Sequence, residues 1–535
     1  MTGSGAHVST ALDGHPRPNV DTSAVATPSA QRNSPLVGRI ASQGALVLAG
    51  NIGAQAFSFA RNALLAHWLS KGDFGIAAAI MMLLQLIDTL SDIGADRLIV
   101  QARDGDDERL VATAHATLIA RGFLTAAAIL VAAVPLASAF GVPHAAWAFA
   151  TVAIAPALKG FLHLDSRRAQ RRLDNRPQML IEVVPQAAAL ALVIPALWYT
   201  DSYAAVVAVV AAQGLAALVV SHVMAERPYA VALSPEHLRR LIAFGWPIWA
   251  SAFPLVAVYQ GDRMLIAGML DVEALASYTA AFMITMVPGL LAAKIGHALL
   301  LPLLAEVRDD ATSFAQRFRL TSETTALAAA VYLMAFVVAG PALLTLTFGK
   351  QYAGLDAVLA CLAGMWALRI IHIVAGMAMM AHGVTRPFLI AGLVRATGLA
   401  LAYIAIVNGY GLVGVAAAGV AAEFTSLAYL AARLDRQSLG ADPAASRLGT
   451  ELMRRALLVV PAAAIALTAH AMIGDGAGLA TSLLAFALAL GCLAPLSMLA
   501  LPSTMHQLAG HLPVSKWRAQ ALGCAAGEAR SGRDG

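Results

Sequence analysis

Runs of about twenty apolar residues recur along the chain, each broken by a charged cluster or a Gly/Pro turn and each long enough to cross a bilayer as a helix. They fall near 45–69, 74–96, 112–138, 144–163, 178–199 and 203–224. After a basic segment at 225–241 they resume near 242–269, 275–304, 322–347, 355–381, 387–408, 411–432, 452–473 and 477–501. The pattern predicts an all-α integral membrane protein of about fourteen transmembrane helices. The expected organisation is a disordered N-terminal arm (1–42), an N-lobe of six helices (43–224) and a linker (225–241). A C-lobe of six helices (242–434), two further helices (451–502) and a polar tail (503–535) follow.

Charge placement supports this count. Arg97, Arg103 and Arg109, the 159–176 cluster, Arg227, Arg239 and Arg240, then Arg308, Arg317 and Arg319, and finally 433–455 fall in alternate connections. The other connections carry only Lys71 and Lys350. Lys and Arg gather in cytoplasmic segments, so both termini are expected in the cytoplasm. Composition agrees: 59% of residues are hydrophobic and 13% charged, against about 25% charged in soluble domains. The abundance of Ala and Gly favours close helix packing and argues against a β-barrel. The net charge of +5 follows from topology and does not indicate nucleic-acid binding. Cys361 and Cys492 lie in apolar runs and Cys524 in the tail, which suggests no disulfide framework. The polar, Ser/Pro-rich first forty residues hold no apolar core for a cleaved signal.

The external turns, such as SKGD, GVPH and FGKQYAG, are a few residues long and leave no room for an extramembrane catalytic domain. No GxxxxGK[ST] phosphate loop occurs, which excludes an ATP-driven pump in this chain alone. Scattered histidines show no metal-ligand spacing, and no cofactor is expected. An enzyme is therefore disfavoured and a transporter favoured.

Both halves open with an Arg before an external turn and then a helix rich in small residues: ARNALLAHWLSKGDFGIAAA, and GDRMLIAGMLDVEALASYTAA. Internal repeats of this kind place a central cavity between two lobes. Together with DTLSDIGADRLIVQ at 88–101, HLDSRRAQRRLDNRP at 163–177 and FGWPIWASAF from 244, these segments resemble the polysaccharide (Wzx-type) flippase family of the multidrug/oligosaccharidyl-lipid/polysaccharide (MOP) exporter superfamily. The resemblance implies a bacterial inner-membrane protein that flips an undecaprenyl-pyrophosphate-linked oligosaccharide by alternating access, coupled to an ion or proton gradient. Its expected partners are the lipid-linked oligosaccharide, membrane lipid, a polysaccharide polymerase and chain-length proteins. A lipid II flippase and a multidrug exporter of the same superfamily are the alternatives.

Ionisable residues inside the spans are the candidate machinery. Each costs about 2.5–3.5 kcal/mol at a helix centre on insertion scales, so most should face a cavity or a partner. Arg61, Arg121, Arg263, Lys294, Arg369 and Arg395 are candidate substrate-binding cations, because Arg can clamp phosphate oxygens with paired N–H groups. For Arg121, Arg369 and Arg395 the plainer alternative is an ion pair within a lobe, with Glu423 or Glu323 for example. For Arg61 and Arg263, nearer the span ends, it is snorkelling to the interface. Asn51, Gln55, Ser58 and Asn62 share one helix face, as do Gln85, Asp88 and Asp92 on the next. Asn51, Gln55 and Asn62 are candidates for a sugar path, against ordinary interhelical hydrogen bonding. Asp88, Asp92, Glu323 and Glu423 are candidate ion-coupling carboxylates, although Asp92 could simply cap its helix or pair with Arg97. Pro247, Pro254, Pro288, Pro341 and Pro461 interrupt spans as hinges or static kinks.

Overall fold

The computed structural model describes residues 35–436, 447–474 and 477–500, and those residues contain helices and no strand. Most of the expected N-terminal arm and the tail at 503–535 lie outside them. The first half comprises α1 (Pro35–Trp68), α2 (Lys71–Ser91), α3 (Ala95–Gln101), α4 (Glu108–Ala139), α5 (Ala146–Thr151), α6 (Ile154–Gly160), α7 (Asp165–Arg171), α8 (Arg176–Thr200) and α9 (Ala204–Val223). The second comprises α10 (Pro235–Met269), α11 (Val272–Ala305), α12 (Ala311–Val338), α13 (Gly340–Phe348), α14 (Asp356–Ala381), α15 (Arg386–Ala396), α16 (Gly398–Val407) and α17 (Gly411–Arg436). Then come α18 (Leu448–Ala456), α19 (Val459–Ile473) and α20 (Leu479–Ala500).

Among the described residues, eleven helical segments are long and apolar enough to cross a membrane, and a twelfth is a pair bent by 50° between Gly160 and Asp165. α1, whose apolar run is diluted by Asn51, Gln55, Ser58 and Asn62, and the shorter apolar α20 stand outside that set, so eleven or twelve of the fourteen expected spans are matched among the described residues. Four expected spans are divided, 387–408 between α15 and α16 and 452–473 between α18 and α19 among them. The 144–163 run breaks into α5 and α6, and the 322–347 run breaks at Ala339, where Pro341 sits in the first turn of α13. Proline lacks an N–H and fits a helix start better than its interior.

The helices of each half pack chiefly on one another, and α14 forms the heart of the second half between α11, α12 and α17. The final helices dock on α12, where Arg455 lies 3.3 Å from the fully buried Glu323 and Arg319 Nε donates to Glu451 at 2.8 Å.

The halves meet at both ends of the bundle. At the end with short turns, α2 and α11 touch so closely that a Cβ on Gly75 would lie 2.0 Å from the Val272 carbonyl oxygen. Gln351 Nε2 there donates to the Ala66 and Leu69 carbonyls at 2.7 and 3.0 Å, satisfying open acceptors at the end of α1. At the Arg-rich end, a Cβ on Gly245 would lie 2.2 Å from the Ile93 carbonyl oxygen. Gly94, in the left-handed region (φ +63°), turns the chain from α2 into α3 and packs on Ile248. Arg240 makes a two-pronged pair with Asp104 (2.5 and 2.8 Å). The start of α10 thus lies on α2, α3 and α4 of the first half, and its remainder, past Pro247 and Pro254, reaches α11, α15 and α16.

Candidate functional site

At the Arg-rich end, a cavity of about 600 Å³ lies between α2, α4, α6, the start of α8 and one face of α10. Its formation begins with small residues. A Cβ on Gly122 would stand 3.0 Å from the Gly160 Cα, so only glycines permit α4 and α6 to cross this closely. The neighbours of these glycines in sequence, Arg121 and Lys159, are thereby brought to the same chamber. From α2, Asp88, Ser91 and Asp92 enter it on one helix face.

Arg97, Arg121, Lys159 and Arg167 face Asp88, Asp92 and Asp96 there, an excess of one positive charge among the described residues. Lys159 pairs with Asp88, Arg97 with Asp92 at 2.9 Å and Arg167 with Asp96 at 3.0 Å. Asp92 also accepts from the Gly94 N–H at 2.9 Å, closing α2. Arg121 is the least neutralised cation. Its Nε donates to Ser91 Oγ (3.1 Å), its Nη2 to the Asp88 carbonyl (3.3 Å), and its Nη1 stands 4.0 Å from Asp92. A guanidinium held mainly by neutral acceptors, with a quarter of its side chain exposed, is available to an incoming anion. Asp88 and Asp92 thus have separate cationic partners. Lys159, read from sequence as a topological charge at a span end, belongs to this chamber. Its signal was its position in the same apolar run as Gly160.

The second half gathers charge differently. Arg369 on α14 and Arg395 on α15 converge on Glu423 of α17, with Arg369 Nε 2.7 Å and Arg395 Nε 2.9 Å from one carboxylate oxygen. Glu423 is 1% exposed. Trp366 and Tyr259 lie 4.6 and 5.7 Å from the Arg369 guanidinium, adding cation–π attraction. His372 Nε2 is 3.2 Å from Ser426 Oγ, which donates to the Ala391 carbonyl at 2.9 Å. The ion pair named as the alternative for Arg369 and Arg395 is the arrangement found.

Snorkelling is overturned for Arg61 and Arg263, which are 8% and 9% exposed. Arg61 donates to Gln213 (2.7 Å) and Gln186 (3.2 Å) inside the first half, and Arg263 lies over the Phe282 ring at 4.3 Å. Both sit where polar or aromatic neighbours receive the guanidinium, so reaching for the interface is unnecessary. Asn62 is buried, Asn51 donates to its own helix at Val47 (2.8 Å), and Gln55 and Lys294 are exposed. Glu323 belongs to the α12–α18 contact, away from the charged chamber.

The described residues thus form a bundle of apolar helices in two halves, with a charged chamber at one end. The lipid II flippase MurJ in an inward closed conformation shares this fold with a TM-score of 0.62 at 11% identity, over 84% of this chain and 98% of that one. An inward-facing multidrug resistance MATE family transporter of the MOP superfamily gives 0.55 at 16% identity, over 71% and 94%. No curated protein matches by sequence. The family model described as polysaccharide biosynthesis protein matches residues 64–357, more than half of the chain. The chain therefore belongs to the polysaccharide biosynthesis protein family.

Proposed function

We propose that this protein flips a lipid-diphosphate-linked oligosaccharide repeat unit from the cytoplasmic to the periplasmic leaflet of a bacterial inner membrane. The Arg-rich end faces the cytoplasm. The observation that carries the reading is Arg121, whose guanidinium lines a chamber with one excess positive charge. A diphosphate entering there accepts paired N–H bonds from Arg121 and displaces Asp88 from Lys159, exchanging a carboxylate for a more highly charged phosphate. Asp88 and Asp92 balance the cations when no cargo is present, and their release on binding offers a proton or cation a place to couple.

Family membership favours a glycan cargo, and the sign of the chamber disfavours a cationic drug. A lipid II-type cargo presents the same diphosphate, so Arg121 serves that alternative equally. The test is the location of lipid-linked repeat units in cells lacking the protein. They should accumulate on the cytoplasmic leaflet, clear with wild type and persist with Arg121→Gln. Normal delivery to the periplasm without this protein would overturn the reading.

A further inference from the structure

At the opposite end of the bundle, a cavity of about 790 Å³ lies where three parts of the chain meet. His67 and Trp68 at the end of α1 form one wall, Lys350 and Gln351 after α13 a second, and Gly478 and Leu479 at the start of α20 the third. Its size falls within the range of small-molecule sites.

Its chemistry is unusual for this face. The connections here hold only two lysines, Lys71 and Lys350, and both flank this seam. Lys71 lies 5.8 Å from the Tyr352 ring, and Lys350 is exposed in the cavity wall. Trp68 presents a half-exposed ring, with His67 edge-on at 6.4 Å. An exposed indole offers a stacking face for the C–H side of a pyranose, and an ammonium a partner for its carboxylate. The Gln351 amide nitrogen is spent on the α1 carbonyls, which leaves its oxygen to accept from a hydroxyl.

We propose that this cavity binds an acidic saccharide on the exit side. Trp68 and Lys350 come from different halves, so the ligand fits only while the halves are together at this end. It therefore holds that end closed, since a ligand shifts a conformational equilibrium by its differential affinity. Accumulated exported glycan would thus slow further export. The proposal rests on the orientation and glycan cargo proposed above.

The test uses full-length protein in lipid nanodiscs and a tetrasaccharide alternating glucuronic acid and glucose, with maltotetraose as the neutral comparison and calorimetric titration as readout. The acidic sugar should bind more tightly. Lys350→Ala should weaken it about tenfold and Trp68→Ala should weaken both sugars by a similar factor, as expected for one charge-assisted bond and one stacked ring. Gly75→Val, which forces the same end apart from outside the cavity, should also weaken binding. Arg121→Gln should leave it unchanged while abolishing inorganic pyrophosphate binding. Thermal melts confirm that each variant is folded. Equal binding of the two sugars, or insensitivity to Lys350→Ala, overturns this site. Pyrophosphate binding that persists in Arg121→Gln, with saccharide binding intact, would instead count against the flippase reading alone.

Discussion

The two halves of the molecule place charge in the membrane in opposite ways. In the second half, Arg369, Arg395 and Glu423 are sealed among α14, α15 and α17, with the carboxylate 1% exposed and shared by two guanidinium groups. In the first half, Arg121, Lys159, Asp88 and Asp92 line an open chamber, with their side chains 25–47% exposed. A sealed cluster has no route for a ligand, and removing Glu423 leaves two buried arginines without their anion, so its work is to hold helices together. An open cluster with a surplus cation can exchange partners. Burial and pairing, more than residue type, separate the candidate arginines.

The sharpest way to break this contrast is Glu423→Ala. Leaving two arginines buried without their anion should cost about 3–5 kcal/mol, read as a large fall in melting temperature in detergent. Retention of wild-type stability would mean that the cluster is not structural. Arg121→Gln should do the reverse. Transport should fall at least about tenfold while stability changes by under about 1 kcal/mol, as for a partly exposed group outside the core. Gly245→Val should act on motion. The added side chain meets the Ile93 carbonyl, so a cysteine introduced at Ser251 in the chamber wall should react faster with a membrane-impermeant thiol reagent added from the Arg-rich side.

The smallest effect belongs to the Arg240–Asp104 bridge, which ties α10 to the first half in an exposed setting. Arg240→Ala should cost under about 1 kcal/mol. Arg240 holds the Asp104 carboxyl at about 2, below the ordinary value of about 3.9. A depressed carboxylate stabilises the fold fully above its unfolded pKa and loses that contribution as pH falls through the folded one. The stability difference between wild type and Asp104→Asn should therefore stay flat down to roughly pH 5 and shrink below about pH 4.

Much of the fold was legible in the sequence, because span length and the alternation of arginine clusters follow directly from bilayer thickness and topology. The all-helical, multi-span architecture and the pairing of Asp92 with Arg97 were both readable. The bend after Gly160 and the break at Ala339 were not, since an apolar run looks the same whether its helix is continuous or divided. Nor did periodicity reveal that α10 begins on one half and ends on the other. The candidate sites were legible as residue types and only partly as places. The Arg369–Glu423 pair was named as one alternative among several, yet Arg455, which neutralises Glu323, is separated from it by more than a hundred residues. Lys159 escaped notice because a lysine near a span end satisfies the positive-inside rule without further explanation. Its role depends on the Gly122–Gly160 crossing, which is a property of packing.

The most direct test compares translocation of a lipid-diphosphate oligosaccharide in proteoliposomes holding equal amounts of folded wild type, Arg121→Gln and the double variant Arg369→Gln/Glu423→Gln. The double variant removes one cation and one anion, so the net charge of the sealed cluster is unchanged, and the amide oxygen that replaces the Glu423 carboxylate can still accept from Arg395. Arg121→Gln should lose translocation while the double variant keeps most of it. Normal translocation by Arg121→Gln, with loss in the double variant, would place the cargo site in the second half, against a role for the open chamber.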